Sequence, residues 1–240
     1  KIKALYPATI FIRSEENLGF AGGNNLGIRR ATGELLLFLN NDTQITEGLV
    51  DCMITYFAAN PQVGGLSPTI VYAHQPEIIQ YAGYTRLNPI TGRNKTITTR
   101  YTDPGPTAYL HGAAMMVRRS VIDLIGEIPE VYFLYYEELD WSEHIRRAGF
   151  DLMYVPCGPV LHKDSHTTGR ISTLKTYYIF RNRLLFMRRN SKPLSLFMFY
   201  LYYILIVLPF HTIKFSIQLR FSDVGALLNG LWWNITHKAT

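Results

Sequence analysis

Leu35 to Leu39 is an unbroken apolar run of strand length, followed at once by Asn40-Asn41-Asp42. A run with no polar face predicts a strand buried on both sides, as in a sheet covered by helices. The flanking sequence agrees. Ala8 to Ile12 reads as a strand, and Asn24 to Ala31 as a helix closed by Gly33. From Thr46, an N-cap residue type, Leu49, Cys52, Met53, Tyr56 and Phe57 fall on one helix face that Asn60-Pro61 stops. Ala113 to Val117 is strand-like, Ser120 can cap a short helix ending at Gly126, and Trp141, Ile145 and Ala148 share a helix face closed by Gly149. Asp151 to Val155 then makes another strand. This alternation predicts an α/β domain with a mostly parallel sheet and helices on both faces. Residues 74–108, rich in Pro, Gly, Thr and Asn, predict a long loop or irregular hairpin over the sheet, the kind of segment that often covers a site.

Beyond Lys175 the pattern turns to helices alone, which places a boundary near residue 170: an α/β domain over 1–170 and a basic, apolar helical tail over 171–240. Charge divides the same way. Residues 1–162 carry 13 basic and 16 acidic groups, and residues 163–240 carry 11 and 2. The basic tail borders 21 residues without a formal charge, Pro193 to Ile213. That pairing points to an anionic membrane surface and away from nucleic acid. The stretch is long enough to span a bilayer core, yet Pro209, His211 and its tyrosines fit an interfacial helix as well. Cys52 and Cys157 lie far apart without C-x-x-C spacing, so neither a disulfide framework nor a zinc module is expected, and a reducing compartment is. The chain begins at Lys1 with no apolar leader, which reads as an excised fragment.

Four constellations bear chemistry. Asp42, with Asn40 and Asn41, follows the buried strand at the edge where α/β sheets gather ligands; by itself such an Asp is a turn or cap residue. The stretch Asn17 to Gly27, with Gly19, Gly22 and Gly23, opens a helix and would admit a diphosphate, although glycine-rich turns are common. Glu137, Glu138 and Asp140 start a helix among Tyr135, Tyr136 and Trp141; a solvated first turn explains acids there, and a partly desolvated general base explains the aromatics. His162 follows a Pro-Cys-Gly-Pro turn and, alone, reads as structural.

In their joint order, N-L-G-F-A-G-G-N-N-L-G-I, L-L-L-F-L-N-N-D-T, H-G-A-A-M-M-V-R-R, Y-Y-E-E-L-D-W-S-E-H-I-R-R-A-G-F and a lone histidine, these motifs resemble the inverting glycosyltransferases of family two, rhamnosyltransferase-like branch, over about residues 10–190. The resemblance implies a GT-A fold, Rossmann-like, with a C-terminal helical tail. It implies Asp42 and His162 as ligands of Mg²⁺ or Mn²⁺, and Asn17, Gly19, Gly22, Gly23, Asn40 and Asn41 on a nucleotide-diphosphate sugar. Glu138 takes the place of the base, with Glu where the family has Asp. Asp140, Trp141, His111 and Gly112 would face a saccharide or lipid-linked acceptor. It further implies that the family's first strand–helix–strand unit precedes this chain, and that the enzyme works at the cytoplasmic face of the inner membrane in cell-surface polysaccharide synthesis. A homo-oligomer is admitted. Rival readings are a nucleotidyltransferase and a non-catalytic, membrane-associated carbohydrate or nucleotide binder.

Overall fold

The computed structural model describes residues 2–99, 101–163 and 173–239. Five strands, β1 (Leu35–Leu39), β3 (Val63–Ser67), β6 (Gly105–Pro106), β7 (Ala114–Arg118) and β8 (Asp151–Tyr154), form one sheet in the order β1-β7-β3-β8-β6. A second sheet runs β2 (Thr43–Gln44), β9 (Val160–His162), β4 (Ile70–Tyr72), β5 (Gln75–Tyr81). Around them lie α1 (Ile2–Leu5), α2 (Gly19–Ile28), α3 (Leu49–Ala59), α4 (Arg119–Ile125) and α5 (Glu137–Arg147). The tail follows as α6 (Thr173–Asn190), α7 (Pro193–Tyr202), a π-helical turn (Tyr203–Val207), α8 (Leu208–Ile217) and α9 (Phe221–Thr236).

The apolar run forms β1, and its side chains alternate between two cores as a period of two requires. Leu36 and Phe38 join α2, α4 and α5 on one face, while Leu35 and Leu37 pack toward α3 on the other. The sheet is mixed, not mostly parallel: β3 and β8 run parallel, and β7 pairs antiparallel with both β1 and β3. A doubly buried strand carries the same apolar pattern in either direction, so the sequence could not show that β7 runs back along β1. Its end is pinned there by the Arg119 N–H, which donates to the Glu34 carbonyl at 2.8 Å.

Four local expectations are corrected. Ala8 to Ile12 forms no strand, because no described segment pairs with it, and Ile10, Phe11 and Ile12 are exposed. α2 begins at Gly19 and not at Asn24, and α3 is preceded by Gly48 in the left-handed conformation, with Thr46 and its hydroxyl outside the helix. Cys52 and Cys157 are disulfide-bonded with their Cα atoms 5.8 Å apart. Sequence distance misled here: α3 crosses beneath the turn after β8, which brings residues 105 apart into contact.

The boundary expected at residue 170 lies outside the described residues. On either side of it the chain shares one core. Leu184, Phe186 and Met187 of α6, Phe199 of α7 and Leu227 of α9 pack with Tyr109, Tyr132 and Leu139 of the sheet-bearing part.

Candidate active site

At the carboxyl end of β1 the chain turns through Asn40 to Thr43, closed by the Thr43 N–H and hydroxyl on the Asn40 carbonyl at 3.2 and 2.6 Å. The turn delivers Asp42 beside His162, because Thr43 of β2 and His162 of β9 are register partners. Asp42 Oδ1 lies 3.3 Å from His162 Nε2 and is buried with no hydrogen-bond partner. His162 Nδ1 sits 2.8 Å from Gln80 Oε1, which orients the ring so that Nε2 faces Asp42. A carboxylate oxygen without a hydrogen-bond partner and an imidazole nitrogen side by side suit a divalent cation. Among the described residues no third His, Cys, Asp or Glu joins them, so a cation there would complete its shell with water or a bound diphosphate.

His162 and Asn40 also line a cavity of about 300 Å³ with His111, Gly112, Glu137 and Glu138. Its remaining wall includes Phe20, Leu134, Tyr135 and Tyr84, the last from the irregular segment that follows β5. His111 Nδ1 accepts the Ala113 N–H at 3.1 Å, which fixes the proton on Nε2. The ring lies parallel to Tyr84, centroids 5.9 Å apart, and burial, then neighbouring His162, pushes its pKa down to about 3. His111 is thus a neutral donor. Gly112 leaves room for the Phe20 ring, whose Cζ would stand 3.2 Å from an added Cβ.

Glu137 and Glu138 open α5. Burial is the first cause that raises both carboxyls above the ordinary range, and the mutual repulsion of the two charges adds to it at Glu138. One Glu137 oxygen has no partner. A carboxylate with a raised pKa, set on a cavity wall opposite an Asp–His pair, can take a proton from a bound hydroxyl.

The profile of the family described as Glycosyl transferase family 2 matches residues 1–126, more than half of the chain. The chain belongs to that family. An N-acetylglucosaminyl-diphospho-decaprenol L-rhamnosyltransferase of Mycobacterium tuberculosis is 30% identical over 192 residues, which cover 69% of this chain and 62% of the relative. The chain therefore spans about six-tenths of the length of that relative. Among solved structures, a mannosyltransferase of Pyrobaculum calidifontis in complex with GDP-Man and Mn²⁺ superposes with a TM-score of 0.53 at 13% identity, covering 98% of this chain and 72% of that one. GalNAc-T7 with UDP, GalNAc and Mn²⁺ gives 0.55 at 16%, over 67% of this chain and 33% of its own. These likenesses show the GT-A fold.

On this family 2 scaffold the remaining expected residues take other places. Asn17 is exposed, and its Oδ1 accepts the Gly19 N–H at 3.0 Å. The Phe20 N–H donates to the Phe133 carbonyl at 3.0 Å, so the first amides of α2 are engaged and do not form an open anion cradle. Gly19, at φ +67°, lets that contact form, since a Cβ there would meet the Phe133 oxygen at 2.1 Å. Gly22 is buried within α2 and Gly23 lies on its open side. Asn41 is exposed on the turn beside Asp42. Asp140 and Trp141 do not face an acceptor. Asp140 is fully buried under Arg189 Nε at 2.9 Å and Asn190 Nδ2 at 2.5 Å, and Trp141 is buried against Phe38 with its indole N–H on the Gly126 carbonyl. Helical period turns Asp140, two residues beyond Glu138, about 160° away from it, whereas Trp141, three beyond and only about 60° away, is held by Phe38 and the Gly126 carbonyl.

Two residues escaped sequence reading. Asn182 of α6, fully buried, donates its amide to the carbonyls of Tyr132, Leu134 and Tyr135 at 3.0, 2.7 and 2.8 Å. Arg181 donates to those of Val131 and Tyr132 at 2.5 and 2.8 Å, and its Nε holds Asn182 Oδ1 at 2.7 Å. Between these anchors and Glu137 the backbone takes positive φ at three non-glycine residues, Phe133 (63°), Tyr135 (69°) and Tyr136 (78°). Left-handed conformations cost about 1–2 kcal/mol each, and the hydrogen bonds from Arg181 and Asn182, at about 1 kcal/mol each, offset them. The Arg181-Asn182-Arg183 run set between Phe180 and Leu184 was the available signal.

Proposed function

We propose that the chain is the greater part of the catalytic domain of a metal-dependent inverting glycosyltransferase, moving a hexosyl or rhamnosyl unit from a nucleotide-diphosphate sugar to a hydroxyl of a saccharide or lipid-linked acceptor. The single observation that carries this reading is the shared cavity: Glu138, with its raised pKa, and His162, paired with the orphaned Asp42 oxygen, line or border one space. Glu138 takes the acceptor proton as the acceptor oxygen forms its bond to the anomeric carbon. The bond to the diphosphate oxygen breaks on the opposite face, so the configuration inverts in one displacement. Asp42 and His162 would hold Mg²⁺ or Mn²⁺, which supplies charge neutralisation at the leaving diphosphate. His111 offers a neutral N–H and Asn40 an amide to the sugar hydroxyls in the cavity. One acting carboxylate suffices, since no covalent glycosyl–enzyme species forms.

The names of the relatives support the choice of substrates. The mycobacterial relative is named for rhamnosyl transfer to a diphospho-decaprenol acceptor. With the apolar tail this favours a lipid-linked acceptor, work at the cytoplasmic face of the membrane, and a place in cell-surface polysaccharide synthesis. The test is release of nucleoside diphosphate from a panel of nucleotide sugars with Mn²⁺ and a lipid-linked saccharide. Release from one sugar, lost in Glu138→Gln, supports the reading; sugar-independent release or none overturns it.

A further inference from the structure

The helix from Pro193 to Ile217, mean hydropathy 1.9, is the one described helix long and apolar enough to cross a membrane. Its polarity is inside out. The stripe facing the protein is Phe199, Tyr203, Val207, His211 and Phe215, in which His211 packs on Phe180 with ring centroids 4.8 Å apart. The outward face is more apolar than this buried one: Leu205 is 65% exposed and Ile217 77%, and Lys214 is the only formal charge in the whole helix. A water-facing helix has the opposite arrangement.

The stripe repeats every four residues, which would drift about 40° per repeat around a regular α-helix. The π-helical turn at Tyr203–Val207, wider than an α-turn, corrects the drift and keeps the stripe on the body from end to end. Phe199 packs close to Gly92, where an added Cβ would meet its ring at 3.0 Å, and Phe215 lies against Phe180, centroids 6.4 Å apart. α9 then returns to α6, where Asn234 Nδ2 donates to the Arg181 carbonyl at 2.9 Å. Both ends of the helix thus rest on the same folded body, whereas a spanning helix must put its ends on opposite sides of about 30 Å of hydrocarbon.

We propose that this helix, together with α9, seats the protein on an anionic bilayer by lying in the membrane plane, without crossing it. Charge selects the occupant. Lys192 and Lys214, exposed beside and on the apolar helix, and Lys238, exposed just after α9, are cationic, and Asp223, the only side-chain carboxylate between residues 173 and 239, is buried against Arg220 and Thr176 at 2.8 and 2.5 Å. Trp232, 64% exposed on α9, adds the side chain favoured at the headgroup boundary. The placement deepens the proposed lipid-linked acceptor and rests on that reading only for its purpose: the same helical layer packs against Tyr136 and Leu139, on either side of the acid pair.

The experiment is flotation of the full chain with vesicles of equal parts phosphatidylcholine and phosphatidylglycerol, against phosphatidylcholine alone, followed by an alkaline carbonate wash. We expect flotation on the anionic vesicles, release by carbonate, and a loss on the order of tenfold in the exposed pair variant Leu201→Glu/Leu205→Glu at an unchanged melting temperature. Retention through carbonate would show a span, and failure to float, or equal flotation of the variant, would remove the surface; each overturns the proposal. A dimer in the ultracentrifuge that the variant dissolves, without flotation, would assign the face to a second copy and overturn it too. Nucleoside diphosphate release in the same preparations is read separately: flotation without release sinks the transferase reading alone, and release without flotation sinks the docking alone.

Discussion

The Asn182 side-chain amide stands 2.8 Å from the carbonyl oxygen of Tyr135, so a residue of the helical tail fixes the turn from which Glu137 and Glu138 project. Asn182→Ala removes the side-chain donor from the Leu134 and Tyr135 carbonyls, each worth about 1–3 kcal/mol if nothing replaces it, while the Tyr132 carbonyl keeps Arg181. We expect kcat to fall on the order of 10- to 100-fold with donor KM little changed, because the base is displaced and not removed. The pH profile should shift toward that of an ordinary carboxylate as water enters. A lower melting temperature with unaltered kcat and pH profile would confine Asn182 to stability.

Glu138→Gln keeps size and loses the proton acceptor, so kcat is expected to drop roughly 10²- to 10⁴-fold with donor affinity preserved. Glu137→Gln tests the register. Should it alone abolish turnover, the base is the residue that the structure buries more deeply.

The raised carboxyls also set a pH dependence. Glu138 acts only when ionised, so kcat should climb as pH rises through the neutral range, above the ordinary carboxylate range of about 4–4.5. For stability the sign is opposite. A pKa raised in the folded state means that the folded protein holds the proton more tightly, so the stabilisation is present at low pH and lost as pH rises through the raised value. Glu137→Gln should therefore raise the melting temperature more at pH above 8 than near pH 5; an equal gain at both would show an unshifted carboxyl.

Legibility in the sequence follows from what each pattern reports. A doubly buried strand announces itself by composition, hence Leu35 to Leu39 and the turn after it were readable. Asn40, His111, Gly112, Glu138 and His162, spread over 123 positions, do line one cavity. Asp140 and Trp141 were grouped with Glu138 by closeness along the chain, although Asp140 turns inward to anchor α6 and Trp141 is buried against Phe38. Gly22 and Gly23 looked like a phosphate loop because composition does not say whether a glycine lies in a turn or inside a helix. The Cys52–Cys157 bond and the Asn182 clamp are contacts between distant segments, and no local pattern encodes them.

Asp42→Asn and His162→Ala separate the two cation donors. Removing the Asp42 carboxylate, whose Oδ1 has no hydrogen-bond partner, should weaken Mn²⁺ binding in calorimetry at least tenfold and leave the melting temperature of the metal-free protein little changed, since the side chain is 42% exposed. His162→Ala should be milder, with water in place of one neutral ligand, and should shift the metal concentration for half-maximal rate. Unchanged Mn²⁺ binding in both variants would remove the pair from any metal shell.

The disulfide joins α3, which follows the Asp42 turn, to the segment between β8 and β9, which ends in His162. Closing a loop of 105 residues restricts the unfolded chain, an effect of about 4–5 kcal/mol in the chain-entropy description. Cys52→Ser/Cys157→Ser is therefore expected to lower the denaturant midpoint, and reductant to do the same to the wild type but not to the variant. Both halves of the cation pair lie next to the bonded segments, so the variant should also bind Mn²⁺ more weakly at temperatures where it is still folded. Equal midpoints with and without reductant would show that the two thiols are not bonded in solution, and unaltered Mn²⁺ affinity would show that the bond serves stability alone.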